Sequence, residues 1–196
     1  RRRGAGAVTD ERSTANDEPR TTEHAERSAQ NAERVFAKLS SLSIPFERFD
    51  HAPVATVEDG IREWAGIDAA HSKNLFLRNQ KGDRHYLLIV VHTKRVDLRA
   101  AATQIGDGKL SFGSPERLMA KLGLTPGSVS PFGLINDSAR HVRVFIDRDL
   151  KAAPRVSFHP NDNTSTIVIA FADFERFLVD CGNPVKYVTV WDARCR

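Results

Sequence analysis

Tyr86-Leu87-Leu88-Ile89-Val90-Val91 is apolar at every position, so it can be buried on both faces of a sheet but makes a poor exposed edge. Leu75 to Arg78 precedes it across Asn79-Gln80-Lys81-Gly82-Asp83, and the spacing predicts a hairpin with a five-residue loop. The second arm of that hairpin therefore belongs at the centre of a sheet. The same run is far short of the roughly 20 apolar residues that cross a bilayer, so no membrane partner is expected.

The rest of the chain supplies the neighbours such a strand needs. Residues 1–23 contain Val8 as their single large apolar side chain and are read as a disordered tail, leaving 24–192 as one folded domain. From His24 to Leu42, Val35, Phe36, Leu39 and Leu42 recur at helical spacing. Phe46 to Asp50 alternates as a half-buried strand, and Thr56 can cap a helix carrying Val57, Ile61 and Trp64 that closes at Gly66. Asp97 caps a short helix to Gln104, and Ser114-Pro115-Glu116 starts another that stops at Gly123. Leu124 to Leu134 is too rich in Gly, Pro and Ser for a regular element and is expected to be an ordered loop lining a cavity. Val142 to Asp147, Val156 to Phe158, Thr164 to Ala170 and Val185 to Trp191 read as strands, with a helix carrying Phe174, Phe177 and Leu178 before the last.

Strands that follow one another through short turns, with helices between groups, argue against a doubly wound parallel sheet. The expected fold is α/β of the α+β kind: a curled, mixed or antiparallel-rich sheet or barrel surrounded by helices. A chain of 196 residues with 40% hydrophobic content can bury a sizeable core. Two cysteines, Cys181 and Cys195, supply neither a disulfide framework nor a Cys-based zinc site and suit a reducing cytoplasm. The net charge of +4 permits an anionic partner such as RNA without requiring one.

Chemistry concentrates in His71-Ser72-Lys73-Asn74-Leu75-Phe76-Leu77-Arg78, where Lys73 and Asn74 stand immediately before the apolar run. By itself a lysine beside a strand is an ordinary solvated cation, and a histidine such as His159 before Pro160 is ordinarily structural. His85, His92, His141 and His159 lack HExxH or comparable metal-binding spacing. Neither Ser128 nor Ser130 sits in a G-x-S-x-G elbow. No cofactor and no metal are expected.

Lys73-Asn74-Leu75-Phe76-Leu77-Arg78, Leu110-Ser111-Phe112 with Ser114-Pro115-Glu116-Arg117-Leu118, Thr125 to Leu134, and Phe158-His159-Pro160 with Asn163-Thr164 together resemble the YbaK/ProX family. The order of these motifs between Ile44 and Val190 is most similar to the freestanding deacylases that clear alanine from mischarged proline tRNA. At Asn161-Asp162 the chain departs from the more apolar turn usual in that family.

The resemblance implies the editing fold that also occurs within bacterial prolyl-tRNA synthetases, and hydrolysis of the aminoacyl ester at the tRNA 3′ end. It implies a catalytic pair at Lys73 and Asn74, with Lys73 positioning the tRNA terminus. His159 becomes a pocket histidine, and Gly127, Ser128, Val129, Ser130, Pro131, Phe132 and Gly133 a loop that shapes the alanine pocket. Partners would be the acceptor end of tRNA(Pro) and prolyl-tRNA synthetase, and the location the cytoplasm. An activated ester asks for a placed water and a stabilised oxyanion more than for a strong nucleophile. The competing readings are a non-catalytic tRNA-binding or synthetase-associated module, and a deacylase for another small amino acid.

Overall fold

The computed structural model describes residues 18–53 and 61–190, with side chains in the first helix from residue 26 onward. In chain order it contains α1 (Glu18–Ser41), β1 (Glu47–Asp50), β2 (Ala70–Asn79), β3 (His85–Val91), α2 (Leu98–Ile105), β4 (Leu110–Phe112) and α3 (Pro115–Leu122). A 3₁₀ helix (Pro131–Asn136) follows, then β5 (Val142–Asp147), α4 (Arg148–Lys151), β6 (Arg155–Phe158), β7 (Ser165–Ala170), α5 (Phe171–Cys181) and β8 (Val185–Val188).

The strands form one mixed sheet in the order β1-β7-β6-β2-β3-β5-β8, with β4 added to β2. β3 lies between β2 and β5, as its double-faced apolar sequence requires, and Leu87 through Val90 are fully buried. The hairpin β2–β3 is antiparallel with Lys73 opposite Val90, whereas β2–β6, β3–β5 and β5–β8 are parallel. The described ladder ends at β1 and β8, so the sheet is open rather than closed into a barrel.

Two apolar layers cover the sheet because residues on a strand alternate between its faces. On the inner face, Phe76, Leu87, Val144, Val156 and Ile167 pack against Val35 and Leu39 of α1, Leu118 and Leu122 of α3, and Phe174 and Phe177 of α5. On the outer face, Leu77, Tyr86, Leu88 and Val90 pack beneath Ala101 and Ala102 of α2. Asp97 caps α2 through its carboxylate and Ser114 caps α3 with Pro115 in the first turn, as their sequences predict.

Several boundaries differ from the sequence expectation. α1 begins at Glu18, inside the stretch expected to be disordered, and the 3₁₀ helix occupies part of the segment expected to be irregular. Ser130 makes that helix possible: its hydroxyl accepts from the Phe132 amide while Pro131 pre-sets the first turn. The expected cap at Thr56 lies outside the described residues, but residues 61–63 are helical and Gly66 takes a left-handed φ of 86° where the helix was expected to close. Among the described residues no helix is long and apolar enough to cross a membrane.

Candidate active site at the open edge of β2

One edge of β2 is shared by two strands that leave a gap between them. β6 pairs with Ala70 and His71, and β4 pairs with Leu77 to Asn79. Gly113 closes the far end of the gap by donating its amide to the Phe76 carbonyl at 2.9 Å. Main-chain groups of alternate residues point the same way, so those of Asn74 face the opening.

Lys73 and Asn74 sit in an unbroken ladder with β3, and their side chains therefore leave opposite faces of the sheet. Asn74 shares the inner face with Phe76 and donates its amide to the Val129 carbonyl at 3.0 Å. Lys73 shares the outer face with His71. The parallel ladder with β6 sets His71 beside Ser157 and ends there, and His159 follows directly after β6. Lys73 thus leaves one face of the sheet beside the opening, and Asn74 with the Val129 carbonyl lies on the other.

The loop Gly127 to Gly133 is anchored rather than free. Ser130 is fully buried, and its hydroxyl donates to the His159 carbonyl at 2.6 Å while accepting from the Phe132 amide at 3.2 Å. Phe132 turns its ring into the inner core against Phe158 and Phe177, at centroid distances of 5.8 and 5.0 Å. A Cβ on Gly133 would stand 2.7 Å from Leu124, so only glycine lets the chain pass there without a shift. Gly127 has a φ of 88°, a left-handed conformation that glycine adopts without strain. Pro131, Phe132 and Gly133 therefore support the loop from beneath, and its Val129 carbonyl is the part that meets Asn74.

His159 has a defined proton arrangement. Its Nδ1 lies 2.8 Å from the Ser165 carbonyl, which can only accept, so Nδ1 carries the hydrogen and Nε2 of the neutral ring is an acceptor. Burial holds its pKa below the ordinary 6.5 and the His51 ring lowers it further, against the opposing pull of the Ser165 carbonyl and Asp162. The same logic fixes His51, whose Nδ1 donates to the Ala52 carbonyl at 2.8 Å and whose Nε2 therefore accepts from Thr166 Oγ1 at 3.0 Å. Thr166 Oγ1 in turn accepts from Trp64 Nε1 at 3.3 Å.

Trp64 lies flat on His71, with ring centroids 4.8 Å apart and planes 6° from parallel. His71 Nδ1 meets Ser157 Oγ at 2.6 Å, and burial together with the neighbouring His92 lowers the His71 pKa. An aromatic and hydroxyl network thus lines the outer face from His51 to His92, next to Lys73. Local sequence does not announce it, because His51 and Thr166 lie 115 residues apart. Strand parity is the one sequence signal available, since it puts His71 and Lys73 on one face.

This arrangement offers a cation, a neutral imidazole acceptor and main-chain polar groups around a narrow edge. Among the described residues, no three His, Cys, Asp or Glu side chains form a group able to hold a metal ion.

The family model for the aminoacyl-tRNA editing domain matches residues 51–177. The prolyl-tRNA editing protein ProX of Acetoanaerobium sticklandii is 40% identical over 158 residues, covering 79% of this chain and 94% of that protein. The prolyl-tRNA synthetase associated domain-containing protein 1 of Bos taurus is 31% identical over 149 residues, covering 74% of this chain and 87% of its own. A crystal structure of a candidate trans-editing enzyme for prolyl tRNA synthetase superposes with a TM-score of 0.61 at 20% identity, over 82% of this chain and 96% of that one, a likeness of fold.

Proposed function

Because the chain belongs to the aminoacyl-tRNA editing domain family, we propose that it hydrolyses the aminoacyl ester of Ala-tRNA(Pro) in trans, without a metal. What supports this reading is the open edge of β2 between its pairings with β6 at His71 and β4 at Leu77, which carries Lys73 and the Asn74–Val129 bond and lies near the strand that leads into His159. Similarity to ProX supplies the class of substrate.

In this reaction water attacks the ester carbonyl carbon, the tetrahedral intermediate collapses, and the bond to the ribose oxygen breaks. The ribose hydroxyl takes up a proton, and free alanine and an uncharged tRNA leave. His159 Nε2 accepts a hydrogen bond from the attacking water or the substrate. Lys73 supplies a compact cation that positions the tRNA terminus, and the Asn74 main chain faces the developing oxyanion. Removing one such donor from an acyl-transfer site slows it by roughly 100- to 1,000-fold. The anchored Gly127 to Gly133 loop sets the size of the acyl pocket; sterics exclude larger side chains but discriminate weakly against glycine.

The acceptor end of tRNA(Pro) is the partner this reading requires, with prolyl-tRNA synthetase as the source of the mischarged product, in the cytoplasm. The test is to incubate the protein with alanyl- and prolyl-tRNA(Pro) in the presence of EDTA and follow ester loss. Selective loss of the alanyl ester is expected. Decay at the buffer rate would instead identify a non-catalytic tRNA-binding module, and selective loss of another aminoacyl ester would move the assignment to that amino acid.

A further inference from the structure

Resting on the deacylase reading, we propose that Asn161 is a substrate-binding residue whose carboxamide receives the α-amino ester itself, Oδ1 accepting from the ammonium and Nδ2 donating to the ester carbonyl. Asn161 lies in the turn that joins β6 to β7, two residues beyond His159. It is 1% exposed, yet neither its Oδ1 nor its Nδ2 has a hydrogen-bond partner. Leaving a buried donor and acceptor unpaired carries an unrecovered desolvation cost for each group, so a side chain with no use for its amide is a poor choice here.

The turn does not need that amide. Asp162 holds it by accepting from the Thr164 amide at 3.1 Å and the Thr164 hydroxyl at 2.9 Å. Asn161 has a φ of 65°, which asparagine tolerates and glycine meets more easily. Backbone geometry therefore accounts for a small residue at this position but not for an unpartnered carboxamide.

The placement of the turn points to the site. Ser130 ties the His159 carbonyl to the Gly127 to Gly133 loop, and the side-chain nitrogen Nδ2 of Asn163 comes within 3.9 Å of where a Cβ on Gly127 would stand. From the other side, Asn74 braces the same loop and leaves its own Oδ1 buried without a partner. Among the described residues, Asn161 is the buried amide with both of its polar atoms unpaired. Asp147 Oδ2 is 2.6 Å from Lys94 Nζ, and Asn183, away from this loop, leaves its Oδ1 idle while its Nδ2 donates to Asp137 and Val142.

The ligand chemistry matches. A carboxamide offers an acceptor and a donor on one carbon, and an α-amino ester offers cationic N–H groups beside a carbonyl acceptor. The ammonium contact is charge-assisted and so the stronger of the two.

Asn161→Gly suits the test because it fits the left-handed backbone and removes the amide. Wild type and variant are compared by melting temperature, by kcat and KM on alanyl- and lactyl-tRNA(Pro), and by titration with a minihelix carrying a non-hydrolysable alanyl amide. Lactyl-tRNA replaces the ammonium with a neutral hydroxyl. Expected are a melting temperature equal to or above wild type, weaker alanyl-amide binding and a higher KM for the alanyl substrate, each by about 10-fold, and a reduced preference for alanyl over lactyl.

Unchanged binding and preference would overturn the inference. A lower melting temperature with equal losses on both substrates would also overturn it, in favour of a structural role. A wild type that binds the alanyl amide without hydrolysing the ester would sink the deacylase reading, and the binding comparison would still decide the role of Asn161. Failure of the wild type to bind the alanyl amide overturns the inference.

Discussion

His71 and Ser157 face each other across the parallel pair β2–β6, with Nδ1 2.6 Å from Oγ, and Lys73 leaves the same face of β2 two residues further on. Lys73 is half-buried there rather than part of the core. Lys73→Ala is expected to lower kcat/KM by roughly 100-fold or more, the scale of losing one charge-stabilising group. The fold should survive, as judged by an unchanged circular dichroism spectrum and melting temperature. Full activity in this variant would return Lys73 to the ordinary solvated class.

His159 gives the reaction a directional pH dependence. Its pKa is held below 6.5, chiefly by burial, so Nε2 stays unprotonated at neutral pH. kcat/KM is expected to be level through pH 7 and to fall on an acid limb centred below 6.5, where Nε2 takes up a proton. Stability moves the same way. The unfolded chain protonates this ring first as pH falls through 6.5, so the contribution is fully present above that value and is lost as pH falls through the lower folded pKa. A pH-rate profile paired with an NMR titration of His159 checks both; an acid limb above 6.5 would remove His159 from the assignment.

The parts of the fold legible in sequence were those set by local rules. The doubly apolar Tyr86 to Val91 run lies at the sheet centre, and the Asp97 and Ser114 caps start their helices. The start of β2 at Ala70 was not legible, because its first residues are held by β6 from the far end of the chain and not by any local pattern. The site divides in the same way. Lys73, Asn74 and His159 came from a family resemblance; β2 carries the first two on opposite faces, and His159 follows β6, the strand that pairs with the start of β2. The Trp64, His71, Thr166 and His51 network and the buried amide of Asn161 depend on packing between distant segments, so no spacing rule reveals them.

Ser130 couples the site to the core through one hydroxyl. Ser130→Ala would leave the His159 carbonyl without its 2.6 Å donor and the Phe132 amide without its acceptor, in a place closed to water. A loss of about 2 kcal/mol is expected, within the usual range for a stranded buried group, measurable by urea denaturation. Activity should fall as well, since the same bond sets the His159 turn against the loop. Retained stability would mean that the loop is held chiefly by the Phe132 ring.

Lys94, just beyond the Val91 end of β3, closes on a buried acid. Its Nζ lies 2.6 Å from Asp147 Oδ2, 2.7 Å from Asp149 Oδ2 and 2.8 Å from the Val190 carbonyl, and Asp147 has no exposed surface. Removing the cation alone strands the Asp147 carboxylate, so Lys94→Met is expected to destabilise by about 3–5 kcal/mol. Replacing both partners removes the stranded charge, and Lys94→Met combined with Asp147→Leu should recover a substantial part of that loss. Asp147 also accepts weakly from the Val190 and Asp149 amides at 3.4 and 3.5 Å, which keeps the recovery below complete. Equal destabilisation in the single and double variants would show that those amide contacts, rather than the ion pair, hold this corner.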